Sequence, residues 1–384
     1  MNAPATLRSP AQDILPIHER LGADNRFSGR GITTAFLDSG FFAHADLTSP
    51  KNRIKAYYDI MSGKAGLDHI KNTQDPSAWH GMMTTVVAAG NGALSEGRFR
   101  ALAPEMELVL VKVGHLSRVR HDDIARGIEW VLTHRVQYDI RVLNISCGGD
   151  YEASYLTDIL SRFAEAAVRE GITVVCAVGN AGDQPGHPVL PPASTPCVIS
   201  VGGLDDNGNP KYGRITGYRS SYGPTVDGMQ KPEVICLADW IAAPILPGTP
   251  TKAQAELVAK LDATPDKDLA RVIGEHPGVD PYLDEALHRP PYLLRQIIAG
   301  RLRDQHVINE HYKKVDGTSF AAPIVSSVVA QMLEANPSLT PQQVKRILIE
   351  TAVRLPNWEV DKQGWGQVRP KAAVERAYAM RGKH

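Results

Sequence analysis

Short buried strands alternate with amphipathic helices along most of this chain, and this alternation constrains its fold more than any other feature. Each predicted strand is a run of apolar and β-branched residues that ends near glycine, asparagine, aspartate or serine. The strands predicted in this way are residues 31–37, 107–113, 142–146, 172–177 and 197–202. Strands that alternate with helices form a parallel sheet covered on both faces. We therefore predict a three-layer α/β fold with a mainly parallel, twisted sheet.

One long segment interrupts this alternation. Residues 245–312 are punctuated by proline, rich in charge, and carry helical patterns at 252–261 and 292–303. A structureless loop of this length is uncommon inside a compact domain. We therefore predict a helical insertion within one domain that spans residues 14–384. We expect the insertion to act as a lid, as a self-association contact or as a docking site for a protein partner.

Composition narrows the classes of function. The 42 basic and 42 acidic residues give a formal net charge of zero, which offers no bulk attraction to nucleic acid or to an anionic membrane. No apolar run is long enough to span a bilayer, and the first residues lack the apolar core of a signal peptide. The cysteines are scattered without a C-x-x-C pair, which predicts free thiols in a reducing cytoplasm rather than disulfides or zinc ligands. They are Cys147, Cys176, Cys197 and Cys236.

A Gly-Thr-Ser turn near the end of the chain leads directly into an apolar helical pattern. Ser319 therefore falls at the N-terminus of a buried helix, where the dipole favours developing negative charge. A serine is a poor nucleophile unless a base lies beside it. The alternative is that Thr318 or Ser319 only caps the helix.

Two other polar residues lie where an α/β sheet places its chemistry. Asp38 follows the strand at residues 31–37, at the carboxyl end where open sheets hold their sites. His80 opens a helix that ends at Gly90, and a first helical turn disfavours a charged imidazole but suits a neutral base. The alternatives are an Asx turn at Asp38 and a structural histidine at His80.

In the order Asp38, His80, Ser319, the chain resembles the subtilisin-like serine proteases (subtilases, peptidase S8), particularly the intracellular type. Residues 31–40 (GITTAFLDSG) resemble the aspartate motif of this family, and His80 with the helix after it resembles the histidine motif. Residues 317–323 (GTSFAAP) resemble the serine motif. Weaker matches follow in the same order, at residues 103–105, 144–149, 178–182, 220–223, 231–233 and 364–366.

The resemblance implies a subtilisin-like fold and a role for each matching residue. Ser319 would be the nucleophile, His80 its general base and then acid, and Asp38 the group that orients His80. Asn180 matches the residue that holds the oxyanion together with the Ser319 backbone N–H. A protein or peptide is the implied substrate.

The resemblance also implies a substrate-binding segment and a pocket. Ser146, Cys147, Gly148 and Gly149 match the segment that receives the substrate as an added strand. The pocket for the residue before the cut is implied by Ala177, Val178, Gly179 and Leu190. Because Leu190 falls near the bottom of that pocket, we expect a preference for small or medium apolar side chains.

Departures from the family pattern are equally informative. Met82 stands where threonine is usual, and the helix continues with Met83, Thr84 and Thr85. The matching register begins near residue 14, which leaves residues 1–13 as a flexible, polar arm that we expect to be able to inhibit the cleft. No cofactor is required. Calcium often stabilises the family and Asp46 matches one ligand, but the nearby loop offers few further oxygens, so a calcium site stays unassigned.

Three other functions are compatible with parts of the sequence. A sedolisin-type site also carries a Gly-Thr-Ser turn but uses a glutamate base, and His80 argues against it. The nucleophile elbow of α/β-hydrolases requires glycine where Ala321 stands. A catalytically silent subtilase that recruits a partner through the insertion would not need Asp38, His80, Asn180 and Ser319 together.

Overall fold

The computed structural model describes residues 14–115 and 118–382. The predicted N-terminal arm at residues 1–13 lies outside the described residues. Two compact units are present within the described residues. One contains Pro16–Ile241 and the chain from Asp316 onward, and the other contains Ala242–Val315 with residues 14–15.

A mainly parallel sheet forms the centre of the larger unit. Its strands are ordered β10-β8-β7-β6-β1-β3-β2, every neighbouring pair in this path is parallel, and β9 adds to β8 in the antiparallel sense. The strands in chain order are β1 (Thr33–Asp38), β2 (Ile54–Asp59), β3 (Glu107–Lys112), β4 (Gly114–His115), β5 (Arg118–Val119), β6 (Ile140–Ile145), β7 (Thr173–Ala177), β8 (Ile199–Asp205), β9 (Thr216–Gly217), β10 (Val234–Leu237), β11 (Ile241–Pro244) and β12 (Tyr312–Val315).

Helices connect these strands and continue the chain after them. They are α1 (Ile17–Arg20), α2 (Ala45–Thr48), α3 (Asp68–Lys71), α4 (Ala78–Ala89), α5 (His121–Tyr138), α6 (Ile159–Arg169), α7 (Pro250–Ala263), α8 (Leu269–Gly274), α9 (Pro281–Ala286), α10 (Pro291–Asp304), α11 (Thr318–Ala335), α12 (Pro341–Thr351), α13 (Val360–Gln363) and α14 (Pro370–Ala379). No helix in the described ranges is both long and apolar enough to cross a membrane.

The sheet is buried because its strands send alternate side chains to two helical layers. In β6, Leu143 and Ile145 join the apolar core that α5 and α6 cover. Asn144, between them, accepts a hydrogen bond of 2.9 Å from Ser326 Oγ of α11 in the other layer. Helix α4 packs against α11 in that second layer. This arrangement confirms the predicted α/β fold with a parallel sheet and helices on both faces.

The smaller unit has an apolar core of its own. Helices α7, α8, α9 and α10 contribute buried leucine, isoleucine and valine side chains such as Leu257, Leu283 and Ile298. Strands β11 and β12 pair with each other. These helices lie within the stretch predicted to be a helical insertion, and its role as a lid or docking site stays a prediction.

Two local features differ from what the sequence indicates. The sequence of residues 153–169 predicts one helix, but α6 begins at Ile159, because the Asp158 side chain caps it by accepting the Ser161 N–H at 2.7 Å. The strand β2 was missed, because its exposed Lys55 and half-buried Tyr58 make the sequence of Ile54–Asp59 look less apolar than a buried strand.

Candidate active site

Asp38 and His80 meet at the carboxyl end of the sheet. Asp38 is the last residue of β1 and is 1% exposed, and His80 lies in the first turn of α4. The Asp38 Oδ1 atom is 2.7 Å from His80 Nδ1 and also accepts the Ser39 N–H at 2.7 Å. The carboxylate therefore fixes the imidazole edge that carries Nδ1 and leaves the Nε2 edge to face other groups.

Two close contacts bring the helix start to the strand end. A Cβ atom on Gly81 would lie 2.0 Å from the carbonyl oxygen of Gly40, so only glycine permits this approach. The Ser39 hydroxyl donates to the Ser77 carbonyl at 3.2 Å, just before α4 begins. The local sequence around Asp38 and His80 thus sets their separation.

The surroundings of His80 determine its protonation. Burial alone lowers the pKa of His80, but the charge of Asp38 and its hydrogen bond outweigh burial and raise the pKa above the ordinary 6.5. One fifth of the His80 side chain remains exposed, next to the ring of Phe320 at 6.0 Å between centroids. The imidazole is therefore accessible and becomes neutral only above the ordinary pKa of histidine.

Ser319 occupies the second position of α11. In the described residues, its hydroxyl donates to the Ser146 carbonyl at 3.0 Å and makes no hydrogen bond to His80. The Ser146 hydroxyl donates in return to the Ser319 carbonyl at 3.0 Å. Catalytic hydrogen bonds are often long or misaligned before a substrate binds. The structure therefore brings Ser319 to the Ser146 segment, with His80 against the neighbouring Phe320.

Asn180 is held with its amide nitrogen available. Its Oδ1 atom accepts both the backbone N–H and the hydroxyl of Thr318, each at 2.9 Å. Because both partners are donors, this network assigns the oxygen and leaves Nδ2 as the donor end of the side chain. Asn180 and Ser319 line one cavity, so two donor groups border the same space.

Most of the predicted substrate residues line that cavity. Its volume is about 310 Å³ and its lining is mixed apolar and polar. The predicted residues found in its wall are Ser146, Cys147, Gly148, Ala177, Val178, Gly179, Asn180, Leu190 and Ser319. Gly149 is not in the wall, although its N–H donates to the Pro191 carbonyl at 2.7 Å. Gln184 and Pro188, which were not predicted, also line the cavity.

Comparison with known protein families shows which family this fold belongs to. The model of the subtilase family matches residues 29–366, which is most of the chain. The chain belongs to the subtilase family. It is therefore a subtilisin-like serine protease, a hydrolase, as the resemblance of its three motifs predicted.

The relatives of this subtilase align with either most of the chain or about half of it. Serine protease AprX of Bacillus subtilis (strain 168) is 28% identical over 360 residues, which cover 90% of this chain and 67% of AprX. The major intracellular serine protease of the same organism is 30% identical over 182 residues, 46% of this chain and 52% of the relative. The structure of the Clostridium perfringens CspB protease superposes with a TM-score of 0.66 at 14% identity, covering 96% of this chain and 99% of CspB.

The predicted substrate segment of this subtilase is supported by residues that motif reasoning missed. His121, at the start of α5, is buried and lies 2.6 Å through Nε2 from Asp158 Oδ1. A Cβ on Gly149 would lie 2.4 Å from His121 Nδ1, so the ring leaves room only for glycine there. Gly149 was expected to leave room for a substrate backbone, and in the structure it leaves room for the His121 ring. A partner 28 residues away in sequence gives no local signal.

The surroundings of Asp46 do not suit calcium in this subtilase. Its Oδ1 atom accepts the Leu94 N–H at 3.1 Å, and its carbonyl oxygen accepts from the Arg53 guanidinium at 2.6 Å and from the Asn91 N–H at 3.1 Å. Calcium needs six to eight oxygen ligands, whereas these neighbours are N–H donors and one is a cation. No cluster of three or more metal-ligating acidic, histidine or cysteine side chains occurs in the described part of the chain.

Proposed function

We propose that this chain is a serine endopeptidase that hydrolyses peptide bonds through Asp38, His80 and Ser319 and an acyl-enzyme intermediate. The observation that carries the proposal is the 2.7 Å contact between Asp38 Oδ1 and His80 Nδ1, with the His80 ring 6.0 Å from that of Phe320, the residue after Ser319 at a helix N-terminus. The matched motifs and the family of the chain support the same assignment. The contact also favours an imidazole base over the glutamate base of a sedolisin-type site.

The three side chains have different roles in the proposed reaction. His80 Nε2 removes the proton from the Ser319 hydroxyl as Oγ attacks the scissile carbonyl carbon. Asp38 holds the ring through Nδ1 and stabilises the imidazolium that forms. His80 then gives its proton to the leaving amine, and the C–N bond breaks to leave the acyl-enzyme. A water molecule, deprotonated by His80, attacks the ester in the same way and releases the acid.

The oxyanion of each tetrahedral intermediate is proposed to lie between two donors. One is the Asn180 amide nitrogen, oriented by the two hydrogen bonds from Thr318 to its oxygen. The other is the backbone N–H of Ser319, in the first turn of α11, where helix N–H groups have no partner within the helix. Removal of one such donor costs about 10²–10³ in kcat.

The substrate is proposed to bind as an added strand along residues 146–149. Ala177, Val178 and Gly179 then form one wall of the pocket for the residue before the cut, and Leu190 limits its depth. Cleavage of a peptide library should therefore favour alanine, valine or leucine over phenylalanine or tyrosine at this position.

We further propose that the protease works in the cytoplasm. The four cysteines are free thiols in the structure, and one relative is named an intracellular serine protease. The segment at residues 245–312 is proposed to contact a partner protein or a second copy of the chain. Cleavage profiles of the full chain and of a form in which this segment is replaced by a short linker would test that role.

A fluorophosphonate probe tests the central proposal, because it labels a serine only when a base activates it. Wild type should be labelled and should cleave casein, and Ser319→Ala should lose both properties. Ser338→Ala, which removes a hydroxyl bound only to Asn336, is the matched control and should behave as wild type. Labelling that persists in Ser319→Ala, or a folded wild type that is never labelled, would refute the proposal in favour of another nucleophile or a silent binding module.

A further inference from the structure

The two oxygens of the Asp38 carboxylate have different partners. Oδ1 lies 2.7 Å from both His80 Nδ1 and the Ser39 amide nitrogen, and the Ser39 hydroxyl oxygen, whose single proton has the Ser77 carbonyl as a competing acceptor, lies 3.3 Å from it. Oδ2 accepts a hydrogen bond from the Thr84 hydroxyl at 3.1 Å. Asp38 and Thr84 are 1% and 0% exposed. Bulk solvent therefore reaches neither group in the wild-type structure.

We propose that Thr84 is a positioning residue for the reaction, because its hydroxyl fixes the second oxygen of Asp38 and thereby the plane of the carboxylate that orients His80. This inference rests on the proposed function and adds to it a fourth side chain behind Asp38. Among the described residues, Thr84 does not line the cavity beside Ser319, and its hydroxyl makes no hydrogen bond to Ser319. Its effect on the reaction is transmitted through the carboxylate.

Helix geometry explains why one short segment supplies both contacts. His80 and Thr84 are four residues apart in α4, and side chains at this spacing lie on the same helix face. That face meets the end of β1, so one carboxylate receives the imidazole and the hydroxyl together. A fixed offset of four residues makes the arrangement rigid, since neither group can move without the helix.

The Thr84 hydroxyl has a competing acceptor on its own helix. It lies 3.1 Å from Asp38 Oδ2 and 3.1 Å from the Gly81 carbonyl oxygen. A hydroxyl carries one proton, and a bond to a charged acceptor is about twice as strong as a neutral one. Thr85, the next residue, shows the common alternative, in which a threonine bonds only to its own helix. Thr85 is also fully buried, and its hydroxyl reaches only the Gly81 and Met82 carbonyls.

Loss of the hydroxyl should impair catalysis and leave substrate binding intact. Without it, Oδ2 is a buried acceptor with no partner, and the carboxylate can rotate away from the plane that aligns His80. A rotated carboxylate also weakens the hydrogen bond that raises the pKa of His80, so the imidazole should become neutral at lower pH. The titratable groups that act on this pair are Asp38 and His80 themselves and the Cys147 thiol, which burial keeps protonated by raising its pKa well above the ordinary value.

Three substitutions at Thr84 and one at Thr85 separate the hydroxyl from packing. Thr84→Val keeps the shape without the hydroxyl, Thr84→Ala removes both, and Thr84→Ser keeps the hydroxyl and removes the methyl. Thr84→Val and Thr84→Ala should lower kcat by about tenfold or more, as expected for a hydrogen bond to a charged group. KM should stay within about twofold, since Thr84 touches no predicted substrate residue. The acidic limb of the kcat/KM profile should move to lower pH.

Thr84→Ser should retain the kcat and the pH profile of wild type, and Thr85→Val should match wild type in both. If Thr84→Val does not fold, Thr84→Ser against Thr84→Ala gives the same contrast. The inference is overturned if Ser and Ala at this position lose equal activity, or if Thr84→Val has the kcat and pH profile of Thr85→Val. Ser319→Ala is measured in parallel. Activity that survives that change refutes the proposed function, whereas its loss beside an unaffected Thr84→Val refutes only the role of Thr84.

Discussion

The single residue His80 determines the pH range in which the proposed base can work. Its pKa lies above 6.5, because the Asp38 charge and hydrogen bond outweigh the lowering effect of burial. A general base must be neutral, so kcat/KM should rise with pH through a value above 6.5. A pH profile from pH 5 to 9 with a chromogenic peptide measures this limb.

Asp38→Asn tests the origin of that shift. Asparagine removes the charge and leaves His80 buried, so the acidic limb should move below 6.5, while kcat falls by about 10⁴ as the ring loses its orientation. Asp122→Asn, at an exposed position in the first turn of α5, serves as the control and should leave the limb in place. If the limb lies at the same pH in wild type and Asp38→Asn, another group controls the profile.

A second residue, Leu190, is expected to set the size of the accepted side chain. Its Cβ lies 3.4 Å from the position that a Cβ on Gly148 would take, which places it across the cavity wall from the substrate segment. Leu190→Ala should raise kcat/KM for peptides with phenylalanine before the cut by about tenfold relative to peptides with alanine there. The pocket becomes deeper because the substitution removes the leucine side chain beyond Cβ. Peptide pairs that differ only at this position provide the measurement.

The exposed Leu156 offers the matched leucine-to-alanine control, since it lies outside the cavity lining. Leu156→Ala should keep the wild-type ratio. A wild type that already prefers phenylalanine, or a Leu190→Ala enzyme with an unchanged ratio, would show that another residue limits the depth.

A sequence motif identifies a functional residue when the neighbouring residues in the chain carry the signal. Asp38, His80 and Ser319 each stand at a strand end or helix start, and their order along the chain is that of the subtilase family. Thr84 and His121 gave no such signal. The partner of Thr84 is 46 residues away and that of His121 is 37 residues away, so their roles depend on how the sheet brings distant segments together.

The same limit holds at the scale of whole elements. Strands β1, β3 and β6 were predicted because nearly all of their positions are buried and their sequences are mostly apolar. Strand β2 lies at the edge of the sheet and keeps exposed positions, which hid its pattern. Strand β10 is only four residues long, too short for periodicity to distinguish it from a loop.

The buried carboxylate of Glu233 joins three elements of the larger unit. It accepts from the Ser200 N–H at 2.8 Å, from Lys231 at 2.6 Å and from Lys345 of α12 at 2.7 Å. Glu233→Gln removes the negative charge between Lys231 and Lys345. Lys231 is only 1% exposed. Breaking a buried pair in this way costs about 3–5 kcal/mol, so the free energy of unfolding at pH 7 should fall by about that amount.

The pH dependence of stability provides a second measurement at Glu233. Burial alone raises the pKa of Glu233, but the charges of Lys231 and Lys345 outweigh it and hold the folded pKa below the ordinary 4.5. The stabilisation is fully present above pH 4.5 and is lost as pH falls through the folded value. Urea unfolding of wild type and Glu233→Gln should therefore converge in acid. Glu350→Gln, in an exposed pair with Arg346, should leave the urea midpoint nearly unchanged, and an equal loss there would contradict the argument.

At the scale of the whole molecule, the structure argues that stability does not depend on calcium held at Asp46. The Arg53 guanidinium lies at this position, 8% exposed, and donates to the Asp46 carbonyl at 2.6 Å and to the Met106 carbonyl at 3.2 Å. Burial lowers the pKa of Arg53 to about 10, while the charges of Asp46 and Glu105 oppose that shift. The side chain is therefore still cationic at neutral pH, and a divalent cation beside it would be repelled.

We therefore expect Tm to be the same in excess EDTA and in millimolar calcium, measured by differential scanning calorimetry. Arg53→Met keeps the apolar stem and removes the cation, which leaves two buried carbonyl groups short of a donor, so Tm should fall by several degrees. Lys51→Met removes an exposed cation nearby in sequence and should not change Tm. A Tm that drops in EDTA for wild type and for Lys51→Met alike would show that a metal stabilises this fold after all. A drop in EDTA that Asp46→Asn abolishes would place that metal at Asp46, because only a ligand of the ion could remove the effect.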